Sequence, residues 1–177
     1  LDSLSEKGRV YLVGGIVRDM VMYQKVDYHD VDVEIYDLEM GEIIAILSQY
    51  GNVNEVGKSF GILKLDSLPN FDFALPRIER KKGQTHREFD VEVHKDLDLK
   101  TACRRRDFTI NAMMYDYQNE ILIDVYHGQE DIKNKWIGVK EKILIFTSLP
   151  IIIVGMGLLN YVRDNVEVSN FKIFDIF

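Results

Sequence analysis

Asp30-Val31-Asp32-Val33-Glu34-Ile35 is the stretch on which the fold turns. Apolar and acidic residues alternate here with a period of two, which predicts a strand over residues 31–36. Successive side chains on a strand point to opposite faces, so Asp30 and Asp32 share one face while Val31, Val33 and Ile35 share the other. Two carboxylates spaced this way suit a hard divalent cation gripped from one side. The same pattern also describes a half-exposed strand with acids on its wet face, so the reading depends on what surrounds it.

Upstream, residues 10–13 form a short apolar run that ends at Gly14-Gly15. This predicts a strand entering a tight turn, with a short helix over residues 16–23. Glycines in such a turn let backbone N–H groups approach a phosphate, and the helix start that follows favours an anion. A plain structural turn is the alternative. Downstream, Asp37 is expected to cap a helix that Gly51 ends, with Ile43, Ile46, Leu47 and Tyr50 on one face. Residues 53–56, 62–65 and 71–74 read as three further strands. The last carries Asp72, which completes a three-carboxylate cluster where its strand lies beside residues 31–36, and is an ordinary solvent-facing acid where it does not.

Residues 77–90 are polar and charged and read as a loop. A short helix is expected over 97–102, a hairpin from 110–116 and 121–125, and a helix over 129–135. Strands and helices mix without regular βαβ alternation, which indicates an α+β fold with a mixed sheet flanked by helices. Between them Arg104-Arg105-Arg106 forms a basic cluster that Phe108 and Ile110 tie to the core. Guanidinium groups suit multidentate phosphate binding, although a solvated basic surface has the same composition.

The bulk properties narrow the function. The 177 residues are 46% hydrophobic, enough for one domain and the start of a second. A net charge of −7 argues against a surface that grips nucleic acid all over, and fits a carboxylate-built site. Cys103 is the single cysteine, which excludes an internal disulfide framework and points to a reducing, cytoplasmic setting. Residues 143–162 are nearly continuously apolar, but Pro150, Gly155, Gly157 and Asn160 favour a buried strand and helix over a membrane span.

Several motifs occur together and in order. Leu12-Val13-Gly14-Gly15-Ile16-Val17-Arg18-Asp19 resembles the opening motif of class II CCA-adding enzymes (tRNA nucleotidyltransferases) and bacterial poly(A) polymerases. Asp30-Val31-Asp32 is similar to that family's DxD strand, Gly57-Lys58-Ser59-Phe60-Gly61 to its GxxFG turn, and Asp72-Phe73-Ala74-Leu75-Pro76-Arg77 to its third-carboxylate strand. Arg105-Arg106-Asp107-Phe108-Thr109-Ile110-Asn111-Ala112 resembles its RRDFTxNA motif.

The resemblance implies a polymerase-β-like nucleotidyltransferase head over residues 1–138, with 139–177 beginning a divergent or truncated helical neck. It implies Mg2+ at Asp30, Asp32 and Asp72, which would be the catalytic carboxylates. It also implies ATP or CTP contacts from Gly14, Gly15, Arg18 and Arg106, with Asn111 shaping the pocket. The implied activity is template-independent addition of CMP or AMP to an RNA 3′ end, with tRNA CCA addition favoured over poly(A) synthesis. The chain departs from the family where an EDPLR-type base-selecting motif is expected, since Thr147-Ser148-Leu149-Pro150-Ile151-Ile152-Ile153-Val154-Gly155-Met156 carries neither acid nor arginine. A catalytically impaired nucleotide- and metal-binding module is therefore a second reading, and modification of a protein hydroxyl a third.

Overall fold

The computed structural model describes residues 1–136 apart from 27, 57–60 and 82–88. The Gly57–Phe60 part of the GxxFG turn, the apolar run at 143–162 and the expected neck lie outside the described residues.

After a four-residue helix α1 (Asp2–Ser5), strand β1 (Arg9–Val13) runs into the Gly14 turn and helix α2 (Gly15–Tyr23). Strand β2 (Val31–Tyr36) follows, then helix α3 (Met40–Leu47) and strands β3 (Val53–Val56), β4 (Ile62–Leu65) and β5 (Leu68–Ala74). A separate ribbon of β6 (Arg77–Lys81) and β7 (Phe89–Val93) precedes helix α4 (Leu99–Arg104). A 3-10 turn (Thr109–Asn111), strands β8 (Met114–Asp116) and β9 (Ile121–Ile123) and helix α5 (Gly128–Asn134) complete the described chain.

The main sheet has seven strands in the order β3-β4-β5-β2-β1-β8-β9. Among the described residues only β2 and β5 pair in parallel, and this is what makes the sheet mixed. The α+β expectation is therefore met.

Alternation along the central strands divides the core in two. Val10 and Leu12 of β1, Val31, Val33 and Ile35 of β2, and Leu63 and Leu65 of β4 join Ile16, Val17, Ile43, Ile46 and Leu47 from α2 and α3 in one buried cluster. Tyr11, Val13 and Tyr36 turn to the opposite face and pack with Ala102 and Cys103 of α4. Fully burying a side chain of this size stabilises by about 1.5–3 kcal/mol, which is enough to fix which face each strand presents.

Three local expectations need correction. Asp37 does not cap α3: it sits at φ 66° and accepts a two-pronged contact from Arg9, at 2.6 and 3.0 Å. Glu39 instead caps the helix, its N–H donating to Glu42 Oε2 at 2.8 Å. Tyr50 lies beyond the end of α3 and is 55% exposed, so it does not share the buried face of Ile43, Ile46 and Leu47. Within the expected loop at 77–90, residues 77–81 form β6 and residues 89 and 90 open β7. Their polar composition hid them, and they pair with each other in a two-stranded ribbon separate from the seven-stranded sheet.

Candidate functional site

The strand register brings the chemistry together. Lys64 of β4 pairs with Asp72 of β5, Asp72 pairs with Asp32 of β2, and Asp32 pairs with Val13 of β1. All these residues alternate with side chains of the main core, so they lie on the opposite face of the sheet, where they form one row across it. The register of β4 against β5 shifts directly after Lys64, an irregularity that commonly re-aims side chains beside functional sites. One row further along β2 stands Glu34.

Asp32 is half-buried and ends the row at the Gly14 turn. A β-carbon built at Gly14 would fall 2.9 Å from Asp32 Oδ2 and 3.1 Å from an Arg106 guanidinium nitrogen. Gly14 also has φ 77° and ψ −137°, a region that is essentially glycine's alone. Glycine is thus required here twice, for backbone conformation and for the approach of a carboxylate and a guanidinium. Gly14→Ala is expected to destabilise the domain by about 1–3 kcal/mol from backbone strain, with the displaced Asp32 and Arg106 adding to that. Chemical denaturation of both proteins checks this, and an unchanged midpoint would contradict it.

Burial raises the Asp32 carboxyl above the ordinary carboxylate range; the nearby Arg106 pulls it back, while Asp30 and Asp72 push it further up. The Asp72 carboxylate lies 2.5 Å from Lys64 Nζ, a close but poorly aligned contact that leaves its buried Oδ1 without a well-directed donor. Asp30 precedes β2 and is exposed. Its neighbour Tyr28 stacks on Phe71, which in turn stacks on Phe73, and this ties the approach to β2 against β5.

Among the described residues no three or more His, Cys, Asp or Glu side chains form a group able to hold a metal ion. The expected three-carboxylate cage is thus not assembled in this arrangement. Asp32 and Asp72 are cross-strand neighbours, but Asp72 is engaged by Lys64 and Asp30 stands out in solvent. The reason is electrostatic: like charges on adjacent strands repel, and an ammonium supplies the nearest counter-charge. The donor set still suits a hard cation, because its oxygens are carboxylate oxygens and a positive group already occupies its edge.

Arg106 and Arg105 converge on Glu34. This carboxylate is 2% exposed; its Oε1 accepts from Arg105 and, at 3.2 Å, from Arg106, while Tyr36 donates its hydroxyl to Oε2 at 3.2 Å. Burial lowers the basicity of Arg106, with Arg105 adding to the effect and Glu34 opposing it. The turn carrying these arginines is pinned from behind, where Thr109 donates its hydroxyl to Asp131 of α5 and Gly128 packs against the Thr109 carbonyl. A cleft lined by Asp32, Glu34, Asp72, Arg77, Arg105 and Arg106 results.

Arg18 and Asn111 meet on the other side of the Gly14 turn. The buried Arg18 donates to Asn111 Oδ1 at 3.0 Å and to Asp19 Oδ1 at 2.8 Å, and its guanidinium lies beside Gly15. Gly14, Asp32 and Arg106 therefore form one cluster and Gly15, Arg18 and Asn111 another, both around the same turn.

Glu34 and Lys64 are lining or flanking residues to which sequence reasoning gave no role; Arg105 entered only as part of the basic cluster and Arg77 only as the end of the third-carboxylate motif. Glu34 shares a strand face with Asp30 and Asp32, and that spacing was the available signal. Lys64 shows its place only through the cross-strand register.

A carboxylate- and arginine-lined cleft beside a glycine turn, on the face of a mixed sheet opposite its main core, is the architecture of a polymerase-β-like nucleotidyltransferase head. The poly(A) polymerase head domain family matches residues 10–138, and the chain belongs to that family. A second family, the O-antigen polysaccharide polymerase Wzy, matches residues 121–177, a minority of the chain that overlaps the head over β9 and α5.

Among curated relatives, the multifunctional CCA protein of Aliivibrio salmonicida is 36% identical over 127 residues, covering 72% of this chain and 29% of that protein. The CCA-adding enzyme of Blochmanniella pennsylvanica is 37% identical over 123 residues, covering 70% and 28%. The chain thus spans under a third of the length of these relatives. Among solved structures, the Bacillus stearothermophilus CCA-adding enzyme in complex with CTP superposes with a TM-score of 0.60 at 25% identity, covering 78% of this chain and 31% of that one. None of the helices among the described residues is long and apolar enough to cross a membrane.

Proposed function

We propose that this chain is the catalytic head of a template-independent RNA nucleotidyltransferase that adds CMP or AMP to RNA 3′ ends, with CCA addition to tRNA as its activity. The observation that carries this reading is the in-register pair Asp32 and Asp72 on parallel strands, beside Gly14 and Arg106 in one cleft. Relatives named as CCA-adding enzymes support it, including the Thermotoga maritima enzyme complexed with tRNA, which superposes with a TM-score of 0.55 at 25% identity.

Asp32 and Asp72 would hold a divalent cation, taken as Mg2+, with Asp30 joining from the edge of the strand. Bound there, the cation would supply Lewis-acid activation of the attacking hydroxyl and neutralise triphosphate charge. Arg106, held by Glu34, would face the triphosphate from the opposite wall, and its fixed guanidinium would bind phosphate oxygens at little cost in side-chain freedom. Gly14 and Gly15 would admit phosphate close to the backbone, while Arg18 and Asn111 would shape the sugar side. The RNA hydroxyl would attack the α-phosphorus in line, and pyrophosphate would leave. Cytoplasmic tRNA would be the acceptor.

Incubating the chain with labelled CTP and ATP, a divalent cation and tRNA lacking its 3′ CCA tests the proposal. Cation-dependent label on the tRNA end is expected. Nucleotide binding without transfer would overturn it in favour of the binding-module reading, which the absent acid and arginines at residues 147–150 favour. Homopolymeric A addition would instead indicate poly(A) synthesis.

A further inference from the structure

Resting on the metal site proposed above, we infer that Lys64 is a built-in competitor of the divalent cation, an ammonium that occupies the Asp72 edge of the site until a metal displaces it. Three observations converge on this residue. The register places Lys64, Asp72 and Asp32 side by side across three adjacent strands, so that a positive group ends a row of two carboxylates. The Lys64 Nζ atom stands 2.5 Å from Asp72 Oδ1, close enough to deny that oxygen to another cation, yet off the axis of a good hydrogen bond. The ammonium also feels the charges of Asp30 and Asp32 beyond Asp72, so its field reaches all three acids.

A unit positive charge in this position acts in two ways. It offsets repulsion between acids on neighbouring strands, which lowers the cost of folding them side by side. It also lowers the negative potential that draws in a divalent ion, and it must leave Asp72 for that oxygen to become a ligand. Lys64 is well suited to leaving, because its side chain is 42% exposed and ends a flexible stem that water can solvate. Arg105 and Arg106 differ, since Glu34 holds both in the cleft wall and neither is free to withdraw.

The test compares Mn2+ binding to the wild-type chain, Lys64→Met and Lys64→Arg, read from the electron paramagnetic resonance of free Mn2+ without nucleotide. Lys64→Met is expected to bind Mn2+ roughly three- to tenfold more tightly at moderate salt, the range expected from removing one screened charge a few ångströms away. Lys64→Arg, which keeps the charge, should bind like the wild type. In an Asp72→Asn background the Lys64→Met effect should shrink sharply, because the two residues act on one oxygen. Circular dichroism establishes that each variant is folded; Lys64→Gln replaces Lys64→Met if the latter is not. Equal or weaker Mn2+ binding by the charge-removed variant, with the wild type still binding, overturns the role of Lys64 alone. Absence of Mn2+ binding by the wild type and every variant overturns the metal site and this inference together.

Discussion

Replacing Asp32 with alanine is expected to abolish nucleotide incorporation while the domain stays folded. Asp32 is the carboxylate that joins the cleft's main parts: it pairs in register with Asp72, approaches Gly14 and lies in the field of Arg106. Loss of a metal-holding carboxylate removes several kcal/mol of charge stabilisation from the transition state, about 10³-fold or more in rate. Stability should respond in the opposite sense. The Asp32 carboxyl is raised in the folded state, so it favours folding only while protonated, and that contribution is lost as pH rises through its folded pKa. At neutral pH without metal the ionised group therefore opposes folding, and Asp32→Asn should unfold at the wild-type temperature or slightly above it. Asp30→Ala should also lose incorporation, although its exposed carboxylate leaves the fold indifferent to the change. Labelled CTP and ATP incorporation together with thermal melts checks both statements, and wild-type turnover by Asp32→Ala would contradict them.

Glu34→Ala is expected to have the largest effect on stability. Its carboxylate is buried and is the shared counter-charge of Arg105 and Arg106, with the Tyr36 hydroxyl as a third partner. Removing one member of a buried ion network leaves the remaining charges without compensation, at about 3–5 kcal/mol. For a domain of this size that corresponds to a fall in Tm of roughly 10 °C or more. Glu34→Gln keeps an acceptor oxygen for the guanidinium groups but loses the charge, so it should fall between the two. Differential scanning calorimetry distinguishes this from an exposed strand acid, whose removal would shift Tm by no more than a degree or two.

The contrast between these two acids shows what was legible in the sequence. Period-two alternation over residues 31–36 was enough to predict β2, its core face and the shared face of Asp30 and Asp32, because burial of Val31, Val33 and Ile35 leaves one register. The same alternation places Glu34 beside Asp32, but a sequence does not show whether an acid faces water or two arginines some seventy residues away. Asp37 looked like a helix cap by residue type; its pairing with Arg9 and its left-handed backbone leave that role to Glu39. Residues 77–81 read as loop because their composition is polar; among the described residues β6 pairs with β7 in a ribbon separate from the seven-stranded sheet, a partner defined by register and not by an apolar pattern. Lys64 was invisible for the reason that makes it informative: its partner is defined only by which strands are neighbours.

Calorimetric titration of CTP into the wild-type chain and into Asp32→Ala, each with and without Mg2+, tests most directly whether the cleft between β2, β5 and the arginine turn is a metal–triphosphate site. Binding to the wild type should strengthen markedly when Mg2+ is present, and that gain should vanish in Asp32→Ala. Equal CTP affinity in all four titrations would contradict it.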